Sequence, residues 1–337
     1  MKILYAIQGT GNGHLSRAIA LLPILSQRGT VDVLISGNQS QLSFPYPIAY
    51  QCYGLTFVSS ARGGIDVLKT LKGLKPLRFL REVRALPLEQ YDLVISDFEP
   101  VSAWACKWKG IACVELSHQA AVRAPGSPQS PLWFPLGRWI IKHYCPSTIS
   151  LGFHFERFTE DTFYPIIREE ILAAKPTRGS HNLVYLTAFD RSFLHAYFSK
   201  LPGIFRIYTK EVSQEECVGN LTFCPIGGPG FLSDLISAQG IICGAGFELP
   251  AEALYLHKKL LVVPYANHFE QHCNAHALKQ IGVTVLFDLT DKTIDECAAW
   301  CISGEPIEYR WSNQLSTSID AVFTAASALE HAIPVID

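Results

Sequence analysis

The side chains best suited to chemistry fall in four short segments of this 337-residue chain. The richest is Gly244-Ala-Gly246-Phe247-Glu-Leu-Pro-Ala-Glu252, where a Gly-rich turn opens a helix that carries carboxylates. After it come Leu260-Leu-Val-Val-Pro264, a strand ended by proline, and Glu270-Gln271-His-Cys-Asn274, a polar pair at the next helix start. These read as two consecutive strand-to-helix turns at the carboxyl edge of a parallel sheet, where open α/β proteins bind nucleotides. A ribose diol is well held by one carboxylate that accepts two hydrogen bonds, a task open to Glu252.

The second segment is Gly9-Thr-Gly11-Asn-Gly13-His14, which follows the strand Ile3–Ile7. It approaches a dinucleotide fingerprint but puts His14 where the third glycine would stand, and Ser36-Gly37 replaces the acid expected for a ribose. A redox Rossmann domain is therefore disfavoured. The glycines still permit a tight turn, and the helix start still favours negative charge. His14 falls at the tip of the first strand, where catalytic side chains collect in this architecture. The third segment supplies a partner carboxylate. Asp97 ends a strand that adjoins the first in a doubly wound sheet, with Glu99 one step further into the loop as the other candidate. Gly227-Gly-Pro-Gly230 is a further turn that can frame a base or phosphates.

These segments need a scaffold of alternating strands and helices. Helical spacing runs through Leu15, Ile19, Leu22 and Leu25, strands are predicted at Val31–Ser36, Tyr91–Ser96 and Ile111–Leu116, and a helix at Val101–Lys109. The stretch from Ala124 to Pro146 reads as loop because of its prolines. The pattern restarts at Asn182–Leu186 and continues through Ile204–Tyr208, Leu221–Cys224, Gly240–Cys243 and Leu260–Val263. The chain is too long for one ordinary core, and nearly half its residues are apolar. The expected fold class is α/β, with two doubly wound Rossmann-like domains facing a cleft. The expected division is 1–160, on the acceptor side, and 161–337, on the nucleotide side, with the last helix a candidate to cross back to the first domain.

Composition narrows the function. A formal net charge of −2 argues against nucleic acid as a partner. Ten scattered cysteines lack any Cys-x-x-Cys pair, so a zinc site or a disulfide framework is not expected, and reduced thiols suit a cytoplasmic protein. The start, Met1 followed directly by a strand, suggests no leader, and no run is long enough to span a bilayer. Between Arg62 and Arg84, seven basic residues alternate with Leu68, Leu71, Leu74 and Leu77. With Trp133, Phe134 and Trp139, they offer a peripheral contact to an anionic membrane, on its inner face; a solvated helix face is the plainer reading.

Taken together, the chain resembles the nucleotide-sugar glycosyltransferases of the GT-B fold, in particular the group of the peptidoglycan N-acetylglucosaminyltransferase and the UDP-sugar glucosyltransferases. Gly11-Asn-Gly13-His14 is similar to that family's Gly-rich loop with its catalytic histidine, and Ile95-Ser-Asp97 to the segment whose acid orients it. The resemblance implies donor-binding roles for Gly11, Gly13, Arg168, Gly246, Phe247, Glu252, Glu270 and Gln271. Arg168 would approach the diphosphate, Glu252 would hold the ribose, and the Glu270-Gln271 pair would read the sugar. Gly244 departs from the pattern, since relatives often place a basic or histidine ligand there. The implied reaction is transfer from a UDP-sugar to a hydroxyl acceptor, inverting and metal-independent, with His14 as general base and no cofactor. The absence of an Asp-x-Asp motif agrees with a metal-free site. A hydrolysing sugar-nucleotide 2-epimerase and a non-catalytic nucleotide-sugar-binding protein are the competing readings.

Overall fold

A computed structural model describes residues 1–37, 44–55, 75–228 and 230–332. Its strands are β1 Lys2–Gln8, β2 Thr30–Ser36, β3 Tyr50–Cys52, β4 Leu93–Asp97, β5 Val114–Ser117, β6 Ile149–Phe153 and β7 Thr162–Phe163, then β8 His181–Tyr185, β9 Ile204–Thr209, β10 Glu216–Val218, β11 Leu221–Pro225, β12 Gly240–Gly244, β13 Lys259–Val263 and β14 Thr284–Val285. Among the described residues they form two seven-stranded sheets. The first has the order β3-β2-β1-β4-β5-β6-β7 and is parallel throughout. The second has the order β10-β11-β9-β8-β12-β13-β14, with only the β10–β11 edge pair antiparallel.

Strands buried on both faces read as continuous apolar runs. Ile3 to Ile7 in β1 are fully buried, and alternate residues serve different cores. Ile3, Tyr5 and Ile7 join one apolar cluster, while Leu4 and Ala6 join another with Phe79 and Val83. The first of these clusters also contains Phe247, Ala251 and Val262, so it continues into the second half.

In each sheet the strand order reverses direction at one place, between β1 and β4 and between β8 and β12. Crevices at the carboxyl ends of strands open at such points. That is where Gly9–His14 and Asp97 lie in the first sheet, and Gly244–Glu252 in the second.

The sequence reading leaves several elements unnamed, among them β3, β6, β10 and β14, and takes one helix for a loop. Pro135–His143 is a helix inside the stretch expected to be loop. Pro135 occupies its first turn, where proline's fixed φ and missing N–H cost nothing. Ile140 and Ile141 are buried, while Trp139 is exposed. The last helix, Leu315–Ala332, packs against the Asn12–Leu25 helix and against β5 and β6. Its Ile319 and Val322 are fully buried there.

Of the basic stretch, Arg62, Lys69 and Lys72 with Leu68, Leu71 and Leu74 lie outside the described residues. The remainder runs from Lys75, the N-cap, through the helix Pro76–Ala85, which buries Phe79 and Val83 and exposes Leu77. Among the described residues no helix is long and apolar enough to cross a membrane. All ten cysteines are free thiols.

Candidate active site

The turn after β1 is built by close backbone approach. Gly9 N donates to Ser36 O at 2.6 Å, and a Cβ on Gly9 would stand 2.8 Å from that same oxygen. Gly11 then takes φ +106°, which glycine adopts without strain, and caps the helix Asn12–Leu25 with no side-chain bond to its first N–H groups. His14 enters in the first turn of that helix. Because Ile7 of β1 is paired with Asp97 of β4, the carboxylate stands at the same sheet edge.

His14 Nδ1 lies 2.9 Å from Asp97 Oδ1. An ionised carboxylate can only accept, so this contact calls for a proton on Nδ1, the same nitrogen that Arg17 Nη2 approaches at 3.1 Å. Of the two candidate carboxylates it is Asp97 that contacts His14. Glu99 instead caps the helix Pro100–Lys109, accepting from Val101 N at 2.7 Å and Ser102 N at 2.6 Å.

Asp97 has a second partner that the sequence reading missed. Arg17 donates from Nε to Oδ2 at 2.9 Å and from Nη2 to Oδ1 at 2.7 Å. Burial pushes the Asp97 carboxyl up, but Arg17 and His14 outweigh it and hold the group below the usual carboxylate range. Arg17 is itself buried and reaches Glu248 Oε1 of the second half through Nη1 at 2.5 Å. The available signal was the His14/Arg17 spacing of three, which places both on one helix face.

The second half contributes a cavity of about 590 Å³, a size suited to a nucleotide-sized ligand. Its wall includes Tyr185 at the end of β8 and Thr187 beyond it, Gly227 and Gly228 after β11, Phe231, and the run Gly244, Gly246, Phe247, Glu248 and Glu252. Gly11, Gly13 and Ser16 of the first half close the other side. The helix Glu248–Tyr255 starts at Phe247 without a side-chain cap, so its first N–H groups are open to a ligand.

Arg168 and Glu252, expected to act on different parts of a donor, are held together. Arg168 Nε donates to Glu252 Oε1 at 2.5 Å and Nη2 to Oε2 at 2.9 Å. Both line the cavity. Burial raises the Glu252 carboxyl even though Arg168 opposes the shift. Lys210, which sequence reasoning also missed, adds a cation to the wall.

The pair Glu270-Gln271 splits. Gln271 lines the cavity and accepts from Tyr265 N at 3.0 Å. Glu270 is not part of the cavity wall; it accepts from Gln119 Nε2 at 3.0 Å and lies 4.0 Å from His118 Nε2. Burial acts to raise Glu270, but the neighbouring His118 and His268 bring it below its ordinary value. His118 also stacks on Phe247, with ring centroids 3.9 Å apart and planes 11° apart, which fixes that cavity residue from the first half. Among the described residues, no group of three or more His, Cys, Asp or Glu could hold a metal ion.

A family model described as glycosyl transferase family 1 matches residues 1–300. No curated protein sequence matches the chain significantly. Among solved structures, MurG of Acinetobacter baumannii is similar at 15% identity and a TM-score of 0.57, over 96% of this chain and 99% of that one. UGT89C1 of Arabidopsis thaliana, solved with quercetin, gives 14% identity and a TM-score of 0.56, over 96% and 94%. The glycosyltransferase SnogD of Streptomyces nogalater gives 14% and 0.52, over 96% and 99%. At such low identity these likenesses establish the fold, the GT-B pairing of two Rossmann-like halves.

Proposed function

We propose a specific reaction on the premise that this chain belongs to glycosyl transferase family 1: it moves a sugar from a nucleotide diphosphate sugar, a UDP-sugar, to a hydroxyl acceptor. The transfer inverts the anomeric carbon and needs no metal. The observation that carries this reading is the His14–Asp97 pair, held beside Gly11 and Gly13, which wall the second-half cavity. The proposed division has an acceptor side at 1–160 and a donor side at 161–337, although β7 (162–163) still pairs with β6 in the first sheet.

A sugar hydroxyl attacks well only if its proton leaves as it attacks. His14 Nε2 accepts that proton, and Asp97 stabilises the imidazolium that results. The departing nucleoside diphosphate gathers charge on the opposite face. Backbone N–H groups at Gly246–Glu248, with Arg168 and Lys210 nearby, are suited to meet it. Attack and departure on opposite faces in one step give inversion. Addition of EDTA is expected to leave the rate unchanged; a loss restored by a divalent cation would contradict the metal-free reading.

The ribose role of Glu252 gives a separate expectation. Glu252→Ala should weaken UDP and UDP-sugar binding by about 1–3 kcal/mol, as for loss of a charge-assisted hydrogen bond. Calorimetry reads this directly. Unchanged or tighter binding would mean that Glu252 serves only to hold Arg168.

The competing hydrolysing epimerase needs further carboxylates in the cleft, and Glu248 is one. Release of free UDP without any acceptor would favour it.

A peripheral membrane contact is the second part of the proposal. Trp133 is 87% exposed and Trp139 60%, with Leu132 and Leu136 also exposed and Arg138 and Lys142 on the same short helix. Vesicles containing anionic lipid should retain the protein in flotation, and Trp133→Ala with Trp139→Ala should abolish it. Failure of the parent to bind anionic or neutral vesicles would point to an acceptor free in solution.

A further inference from the structure

Glu248 is a cavity group that the proposed chemistry leaves unused. It opens the helix Glu248–Tyr255, lines the cavity and stays 19% exposed at its side chain. It is also one of the points at which the second half grips the first. Its carboxylate accepts from Arg17 at 2.5 Å, and the Gly13 backbone closes over it so tightly that a Cβ there would sit 3.0 Å from Glu248 Cγ.

One guanidinium thus serves two carboxylates, Asp97 with two hydrogen bonds and Glu248 with one. The charged and titratable groups that face Glu248 are Arg17 from the first helix, Asp97 from β4, the buried Tyr5 phenol from β1, Arg168, and Glu252 one turn along its own helix. Arg168 is committed to Glu252. Burial pushes the Glu248 carboxyl up to about 7, Arg17 works against that rise, and Glu252 and Asp97 add to it. Burial thus brings the neutral form of this carboxyl within reach near neutral pH, against the pull of Arg17.

We propose that Glu248 takes up a proton when a nucleotide diphosphate sugar enters the cavity, so that donor binding neutralises it and leaves Arg17 to Asp97. This inference rests on the nucleotide-sugar reading above. A diphosphate next to a carboxylate favours the neutral form of that carboxylate. By linkage, the proton then favours the ligand to the same degree. The catalytic pair on the first half would in this way register the presence of donor on the second, with Glu248 and Arg17 acting as positioning residues.

Calorimetry with UDP-glucose and UDP-N-acetylglucosamine, in buffers of different ionisation enthalpy, tests this. The diphosphate of a nucleotide sugar is esterified at both ends and has no proton that titrates near pH 7, so any uptake belongs to the protein. The parent should take up about half a proton per ligand at pH 7, and its affinity should fall about fivefold between pH 7 and 8. Glu248→Gln, nearly the same in shape, should show neither effect. Binding to the parent without proton uptake would overturn the proposal, whatever the variant does. Equal uptake in Glu248→Gln would overturn it too, by assigning the proton to another group. If neither probe binds the parent, it is the nucleotide-sugar reading that fails, and this inference with it.

Discussion

His14→Ala should lower turnover by about 10²–10⁴-fold, the span expected for loss of a general base, while nucleotide-sugar affinity stays close to that of the parent. The split follows from position. His14 Nδ1 is committed to Asp97, and His14 itself is not in the cavity wall formed by its neighbours Gly13 and Ser16. Its removal should therefore spare the nucleotide and remove only the proton acceptor for the attacking hydroxyl. Asp97→Asn should act in the same direction, because an amide can present its N–H to Nδ1 and favour the wrong tautomer. A folded His14→Ala protein that binds donor and transfers sugar at the parent rate would end the general-base role.

The largest effect on stability is expected at Arg17. Its guanidinium is buried, bridges Asp97 and Glu248, and joins the two halves. Arg17→Met leaves two carboxylates without their cation, and breaking a buried pair in this way costs about 3–5 kcal/mol. The sign with pH follows from the carboxyl groups. In the parent, Arg17 and His14 hold Asp97 low, so its contribution is present above the unfolded carboxylate value and is lost as pH falls. In the variant, both orphaned carboxyls escape the penalty by binding protons. The difference between variant and parent should thus shrink as pH is lowered from 8 to 5.5. Denaturant unfolding at the two pH values measures it. A difference that stays the same, or that grows at pH 5.5, would show that charge compensation is not what Arg17 provides.

The meeting of His14 and Asp97 was legible in the sequence because parallel strands carry their end residues at one edge. A glycine turn after β1 and an acid at the end of β4 must meet once the strand order places those strands side by side. Arg17 is on the same helix as His14, yet its role was not legible. One of its partners, Glu248, is 231 residues away in the other half, and nothing local encodes that approach. The Arg168–Glu252 pair was half-read. Both residues were found, but their mutual bidentate contact depends on how the segment before Glu169–Leu172 lies against the Glu248–Tyr255 helix. Glu270 and Gln271 show the limit of adjacency. Neighbours at a helix start are rotated by about 100° from each other, so one faces the cavity and the other faces Gln119. The Pro135–His143 helix was hidden by its flanking prolines, which mark loops and helix starts alike.

The deciding measurement is a crystal structure of the protein grown with the UDP-sugar that binds it most tightly among a small panel. The diphosphate is expected within hydrogen-bond reach of the backbone N–H groups at Gly246–Glu248, the ribose at Glu252, and the anomeric carbon turned toward His14 Nε2. A nucleotide bound outside this cavity, or an anomeric carbon turned away from His14, would contradict the proposed transfer.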